Sequence, residues 1–403
     1  MDFSSIDIFC HCVDNFGDAG VACRFARELK AAREGWRVRV FIDNMDTAHA
    51  IDSGIDPALA VQERESVTYV NSAALDRAAA DALGVADVMV EAFACYIPEP
   101  LLERAYDRSK LIINLEYLSA EDWVEGYHLK ESLLGRGSVR KFFFMPGFRE
   151  GTGGIIVNSR LQRVRDSGAL DRRAVLNGLL NPYGISAKPE GGGQLVGTVF
   201  TYERGFDALI ADIDATGREA ILIVFGDKSR RGMAAALGRA GVDAGPPRRL
   251  CRYNNITLVF HQFIPQDDYD ALLCCADFNV VRGEDSLARA VLSGKPFIWN
   301  AYIQDEKYQL VKVEALLETM RPFYGGVDGG GPAFDDYASL MLAFNGAAEE
   351  STAQVAGERY VDFFKNLKKH ERAASAMYYF MLRDCSLIDK FCGFLDEYRA
   401  GAQ

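Results

Sequence analysis

FNVVRGEDSLARAVLSGKPFIWN, residues 278–300, decides the fold. The apolar run DFNVV (277–281) has the length and texture of a buried strand. SLARAVLSG has helical spacing, and KPFIWNAY (295–302) is a second strand. Two strands joined through a helix need a crossover, which makes them parallel and covers the sheet with helices. The same alternation extends outward through QLVGTVF, AILIVFGD (220–227), ITLVFHQF (256–263) and the helical DDYDALLCCA (267–276).

The first half repeats the scheme. IDIFCHCV (6–13) is expected as a strand, VACRFARELKAAREG (21–35) as a helix and WRVRVFID (36–43) as the next strand. ADVMVEAF (86–93), KLIINLEY (110–117) and KFFFMPG (141–147) follow. Between the halves, NPYGISAKPEGGGQ (181–194) carries prolines and glycines that sustain neither a helix nor a central strand, and it marks a linker. From about Val355 the chain is helical and aromatic. The expected organisation is α/β: two Rossmann-like domains facing across a cleft, over residues 1–186 and 187–370. Helices over 371–403 are expected to pack back on the first domain. A chain of 403 residues is too long for one ordinary core and suits this division.

Bulk properties exclude several function classes. A net charge of −12 opposes a phosphate-neutralising surface, so direct nucleic-acid binding is not expected. No run of about 18 apolar residues suggests a membrane span, and the N-terminus lacks a secretory pattern. The nine cysteines include Cys10 and Cys12 as CxC and the adjacent Cys274 and Cys275, with no CxxC pair. They are expected to be reduced cytoplasmic thiols, without a zinc site.

Polar residues collect where strands end, the edge at which open α/β sheets bind ligands. In HCVDNFGDAGVACRFA (11–26), Gly17 and Gly20 let backbone approach a ligand, although the GxGxxG dinucleotide fingerprint is missing. Asp14 suits an Asx turn and Asp18 a helix cap. Two carboxylates facing a cleft, able to bind a cation and accept a proton, are the functional alternative. Glu91 and Glu116 also end strands and would sit near the same edge, where surface solvation or local capping explains such acids more often than catalysis does. In VGTVFTYERG, Phe200 and Tyr202 fall on one side of an extended segment, and the Tyr202 hydroxyl could meet a phosphate. In HQFIPQDDYDALL, Phe263 stands just outside a strand end, placed either for the core or for stacking a base, ahead of Gln266. In RGEDS, Asp285 or Ser286 is expected to cap the following helix. Its free amides would bind phosphate, flanked by Arg282 and Glu284.

The strings IFCHCVDNFGDAGVACRFARELK, EAFACYIPEP, NLEYLSAEDWVEG, KFFFMPGFREGTGG, FIPQDDYDALL and VVRGEDSLARAVLSGKPFIWNAYIQ, in that order, resemble the EarP family, the arginine rhamnosyltransferases of translation elongation factor P. The resemblance runs from about residue 6 to 312. It implies a GT-B fold, dTDP-β-L-rhamnose as donor, and inversion at the anomeric carbon to give α-rhamnosyl-arginine on the protein acceptor. Carried over, Asp18 matches the proposed general base, Asp14 its companion acid and Glu284 a second essential acid. Asp285, Ser286 and Tyr202 match diphosphate contacts, Phe200 and Phe263 match aromatics around the nucleotide, and Arg282 and Gln266 fall in the same nucleotide-side motifs. No cofactor or metal is implied, since the nucleotide sugar is a substrate.

Some positions depart from the family pattern. Cys23 and Leu292 stand where tryptophans are usual, NAYIQ (300–304) replaces a His-Ile-Tyr-Pro-Gln run, and Tyr308 replaces a histidine. VNSR (157–160) departs from a leucine-arginine-glutamate ending. These bear on the shape of the donor pocket rather than on the acids. An epimerase of the same fold acting on nucleotide sugars, and a non-catalytic binder of elongation factor P, are the rival readings.

Overall fold

The computed structural model describes residues 3–12, 16–93, 95, 97–133, 139–189, 191–242, 250–327, 329–346 and 357–401. The chain forms two compact units, Met1–Arg160 with Met381–Gln403, and Leu161–Phe380.

The first unit holds an eight-stranded sheet. Its strands are β1 (Ser5–Cys10), β2 (Arg37–Ile42), β3 (Val61–Arg64), β4 (Val67–Asn71), β5 (Val88–Ala92), β6 (Leu111–Leu115), β7 (Glu131–Ser132) and β8 (Arg140–Phe144). Their order is β3-β4-β2-β1-β5-β6-β8-β7. The antiparallel strands β3 and β7 sit at the two edges. The six parallel strands, numbered along the chain, run 3-2-1-4-5-6, the Rossmann order whose direction reverses beside the first strand.

Burial explains the runs of Val, Ile and Phe, because every residue of β1, β5 and β6 is buried, as crossover-covered sheets require. On one face, Phe25 of the helix Phe16–Ala32 meets Phe391 edge-on at 5.1 Å, and Phe391 meets Phe144 at 5.2 Å. The C-terminal helix Leu387–Gly401 therefore belongs to this core. The opposite face packs Phe9 on Phe41 at 4.5 Å, with Met89, Leu101 and Ile112.

The second unit holds β9 (Leu195–Val199), β10 (Ala220–Phe225), β11 (Leu250–Tyr253), β12 (Ile256–His261), β13 (Phe278–Arg282) and β14 (Phe297–Asn300), in the order β11-β12-β10-β9-β13-β14. Its five parallel strands run 3-2-1-4-5, with β11 antiparallel at the edge. Gly197 in β9 leaves room for a neighbour: a Cβ there would lie 2.3 Å from the Phe278 ring. The stretch 181–194, marked as linker by its composition, lies inside this unit. The helix before it, Arg172–Leu180, is tied to the strand region. Arg172 Nε donates to the Cys275 carbonyl at 2.8 Å, and its Nη2 meets Asp277 at 3.1 Å.

Two local expectations change. The first helix starts at Phe16 rather than Val21, so Gly17, Asp18 and Gly20 are helical. The helix after β13 starts at Gly283, with Arg282 at its cap position and no side-chain cap bond. Neither Asp285 nor Ser286 is the cap, because Gly283, at φ 64°, turns the chain directly out of the strand. No helix among the described residues is long and apolar enough to cross a membrane.

Candidate functional site

In the second unit the strand order reverses between β9 and β13, and the polar residues gather at the carboxyl ends of those two strands. The segment leaving β9 is held by its own amides. Phe200 N donates to the Val280 carbonyl at 2.8 Å, Thr201 N to Ser229 Oγ at 2.7 Å and Tyr202 N to Asn300 Oδ1 at 3.0 Å. Arg282, the last residue of β13, donates from Nη1 to the Thr201 carbonyl at 3.2 Å. Its guanidinium then lies 4.2 Å from the Phe200 ring centre and 5.0 Å from that of Tyr202. The result is a cation held against two aromatic faces.

Gly283 supports this arrangement. Its carbonyl accepts from Trp299 Nε1 at 2.9 Å, and a Cβ on it would come within 3.2 Å of the Tyr202 hydroxyl. Tyr202 therefore stands over the start of the helix Gly283–Ser293, whose N-cap residue, Arg282, makes no side-chain cap bond. Uncapped amides at the positive end of a helix dipole suit an anion such as phosphate.

The acids of that first turn are paired with cations. Glu284 Oε1 meets Lys312 Nζ at 3.2 Å, and Asp285 lies 3.6 Å from Arg289 one turn on. Arg289 is buried, pairs with Asp270 and donates to the Gln266 carbonyl at 2.5 Å. Gln266, the first residue of the helix Gln266–Cys275, is thus connected to RGEDS through Arg289. Ser286 is buried in the same turn. Below them the rings of Phe200, Tyr269, Phe225 and His261 meet in sequence at 5.7–6.4 Å. Phe263 follows β12 with 52% of its surface exposed.

In the first unit the order reverses between β1 and β5. Past β1, Cys12 N donates to Asp43 Oδ1 at 3.0 Å, and His11 Nδ1 pairs with the other oxygen of Asp43. Burial pushes the Asp43 carboxyl up, but the Cys12 amide and His11 outweigh it and hold Asp43 below the usual carboxylate range. Asp18 is the third residue of the helix Phe16–Ala32 and is only 3% exposed. A carboxylate in the first turn is favoured by the helix dipole. Its charge reaches the Cys10 thiol, which is pushed up by its hydrogen bond to Cys12, by burial and by Asp18. Gly20 is buried and Gly17 partly exposed. Asp14 lies outside the described residues.

Along the same edge Glu91 is buried inside β5 and paired with Lys141. Asn114 Nδ2 donates to Glu116 Oε1 at 2.7 Å. Phe93, at φ 60°, stacks on Tyr117 at 4.7 Å. Among the described residues, no group of three or more His, Cys, Asp or Glu side chains is placed to hold a metal ion.

Sequence reasoning missed Lys312, Arg289 and Thr201, and met Asn300 only as a departure from the family pattern. Arg289 carried a signal, four residues after Asp285 on one helix face. Asn300 ends the strand next to β13. Lys312, 28 residues beyond Glu284, had none.

The comparisons with known proteins agree with one another. Residues 6–396 match the family described as Elongation-Factor P (EF-P) rhamnosyltransferase EarP. A protein-arginine rhamnosyltransferase of Pseudomonas putida is 38% identical over 321 residues, which is 78% of this chain and 81% of the relative. One from Neisseria meningitidis is 33% identical over 326 residues, 79% of each chain. A solved structure concerned with EarP-mediated arginine glycosylation of translation elongation factor EF-P superposes with a TM-score of 0.61 at 23% identity. It covers 98% of this chain and 99% of that one, a likeness of fold.

Proposed function

The chain belongs to the EarP family of elongation factor P rhamnosyltransferases and is a protein-arginine rhamnosyltransferase. From that premise we propose that it transfers L-rhamnose from dTDP-β-L-rhamnose to an arginine of elongation factor P, with inversion at the anomeric carbon. The observation that carries the donor half is the Arg282 guanidinium resting on Phe200 and Tyr202 beside an uncapped helix start. Such a place suits a nucleoside diphosphate. Tyr202, Ser286 and the amides of that turn contact the diphosphate, Asp285 shapes the turn through Arg289, and Phe263 stacks on the base near Gln266. As the glycosidic bond breaks, charge grows on the departing diphosphate, and groups already aimed at it lower the barrier.

The acceptor chemistry assigns the acids. A guanidinium stays protonated at physiological pH, its pKa being above about 12, and in that form it is a poor nucleophile. Asp18 accepts its proton as one nitrogen attacks the anomeric carbon, while Asp14 orients the acceptor. Glu284 acts on the donor side. All nine cysteines are free thiols, which supports a cytoplasmic setting.

The test is a mass spectrum. After incubation with elongation factor P and dTDP-rhamnose, one added deoxyhexose on an arginine is expected. An unmodified acceptor with unchanged donor would leave a non-catalytic binder. A chemically altered free nucleotide sugar would point to an epimerase.

A further inference from the structure

The donor turn contains a conflict that the proposed activity leaves unexplained. A diphosphate is to bind where Glu284 and Asp285 project, and a carboxylate a few ångströms from a phosphate repels it. Asp285 is compensated within its own helix by Arg289. Glu284 is compensated from elsewhere, by Lys312 of the helix Tyr308–Tyr324. The pair is about three-quarters buried, with side-chain exposures of 26% for Glu284 and 23% for Lys312, so solvent screens it incompletely.

The placement of Lys312 is built into the backbone. Glu306 and Lys307, neither of them glycine, both adopt left-handed conformations, at φ 55° and 60°, immediately before the helix begins at Tyr308. Two consecutive residues in this costly region fix where the helix starts, and Lys312 comes one turn later. Around the turn stand Arg282, Arg289, Lys312 and Lys228, the last 5.6 Å from the Tyr202 ring centre. Against them are Glu284, Asp285 and Asp270. Removing Lys312 would take away the cation that meets Glu284 in this turn.

We propose that Lys312 is a positioning residue for the donor. It cancels the charge of Glu284, so that the diphosphate of a nucleoside diphosphate-sugar can settle on the helix start. It also holds the Glu284 carboxylate in a fixed place beside the sugar. This inference rests on the donor reading above.

Calorimetric titration of the full chain with dTDP, which requires no transfer, tests it. Lys312→Met is expected to bind dTDP about tenfold more weakly, the effect of one unscreened charge at this range, and the loss shrinks as salt is added. Lys312→Arg retains binding to within about threefold, since it keeps the charge. In Glu284→Gln/Lys312→Met, affinity returns to within about threefold of the parent, because the carboxylate that needed compensation is gone. A merely structural lysine would not be rescued in this way.

Parental affinity in Lys312→Met, or a folded double variant no tighter than Lys312→Met, overturns the proposal. Should Lys312→Met fail to fold, Glu284→Gln decides. It keeps Lys312 and loses the repelling charge, so it must bind dTDP at least as tightly as the parent, and weaker binding overturns the idea. A parent chain that does not bind dTDP overturns the donor reading itself, and this inference with it.

Discussion

The two units share the parallel order 3-2-1-4-5 and place polar residues at the same topological position, yet the two positions differ in chemistry. At the end of β1 the described groups are an almost buried Asp18, thiols, and Asp43 with His11. At the end of β9 they are aromatic rings under a guanidinium, with each acid of the next helix matched to a cation. A Rossmann order determines where a ligand sits. The side chains at the switch point differ between the units, acid-rich at the end of β1 and cation-balanced at the end of β9, which under the proposed function suits a cationic acceptor and a diphosphate respectively.

Substitutions that erase this contrast rank themselves. Asp18→Asn should have the largest effect, lowering saturated transfer to elongation factor P by about 10²–10⁴-fold, the range for a lost general base. Its dTDP affinity should stay within a factor of about two by calorimetry, and substantial residual turnover would remove Asp18 from the role of base. Arg282→Ala should weaken dTDP binding by roughly 10–100-fold, as expected for a charge-assisted contact, while leaving the first unit untouched. Phe263→Ala should weaken the donor by about tenfold through lost stacking and barely change turnover at saturating donor, a split read from KM and kcat.

The smallest effect comes from a property common to both units. Each holds one histidine whose pKa is lowered by desolvation from 6.5 to about 4, the half-buried His128 in the first and the buried His370 in the second. Both are neutral when folded, so the unfolded chain binds more protons as pH falls below 6.5. Stability should be full above that value and decline as pH drops toward about 4. A melting temperature that is flat over this window would show that the histidines are not held neutral.

The sequence revealed the strands and the site positions unevenly. The parallel cores were legible because strands buried on both faces leave continuous apolar runs, as in AILIVF and LIINL. The β3–β4 hairpin was not, since VQER is exposed and its turn uses Glu65 and Ser66 at positive φ in place of glycine. The starts of the two site helices were misplaced for a related reason. Capping rules look for a side chain, whereas Gly283 makes its turn with backbone alone. Arg282, Phe200 and Tyr202 were legible as strand-end residues, and the structure brings them into contact. Lys312 was not, because in sequence a lysine on a helix looks like any other until the fold brings it to Glu284.

The helix Gly283–Ser293 is also secured beyond its first turn. Its eleven residues extend about 16 Å, Arg289 is anchored partway along, and near the far end the Leu292 carbonyl accepts from Arg165 at 2.7 Å. Arg165 is itself clasped by the Tyr378 ring, 4.0 Å from its guanidinium. In mechanical terms the helix is a beam pinned along its length, and its N-terminal end does not tilt unless the pins yield. On the proposed donor reading, Arg165 is answerable to a nucleotide it never touches. An inhibitor that loosened that distant pin would weaken donor binding without entering the donor pocket.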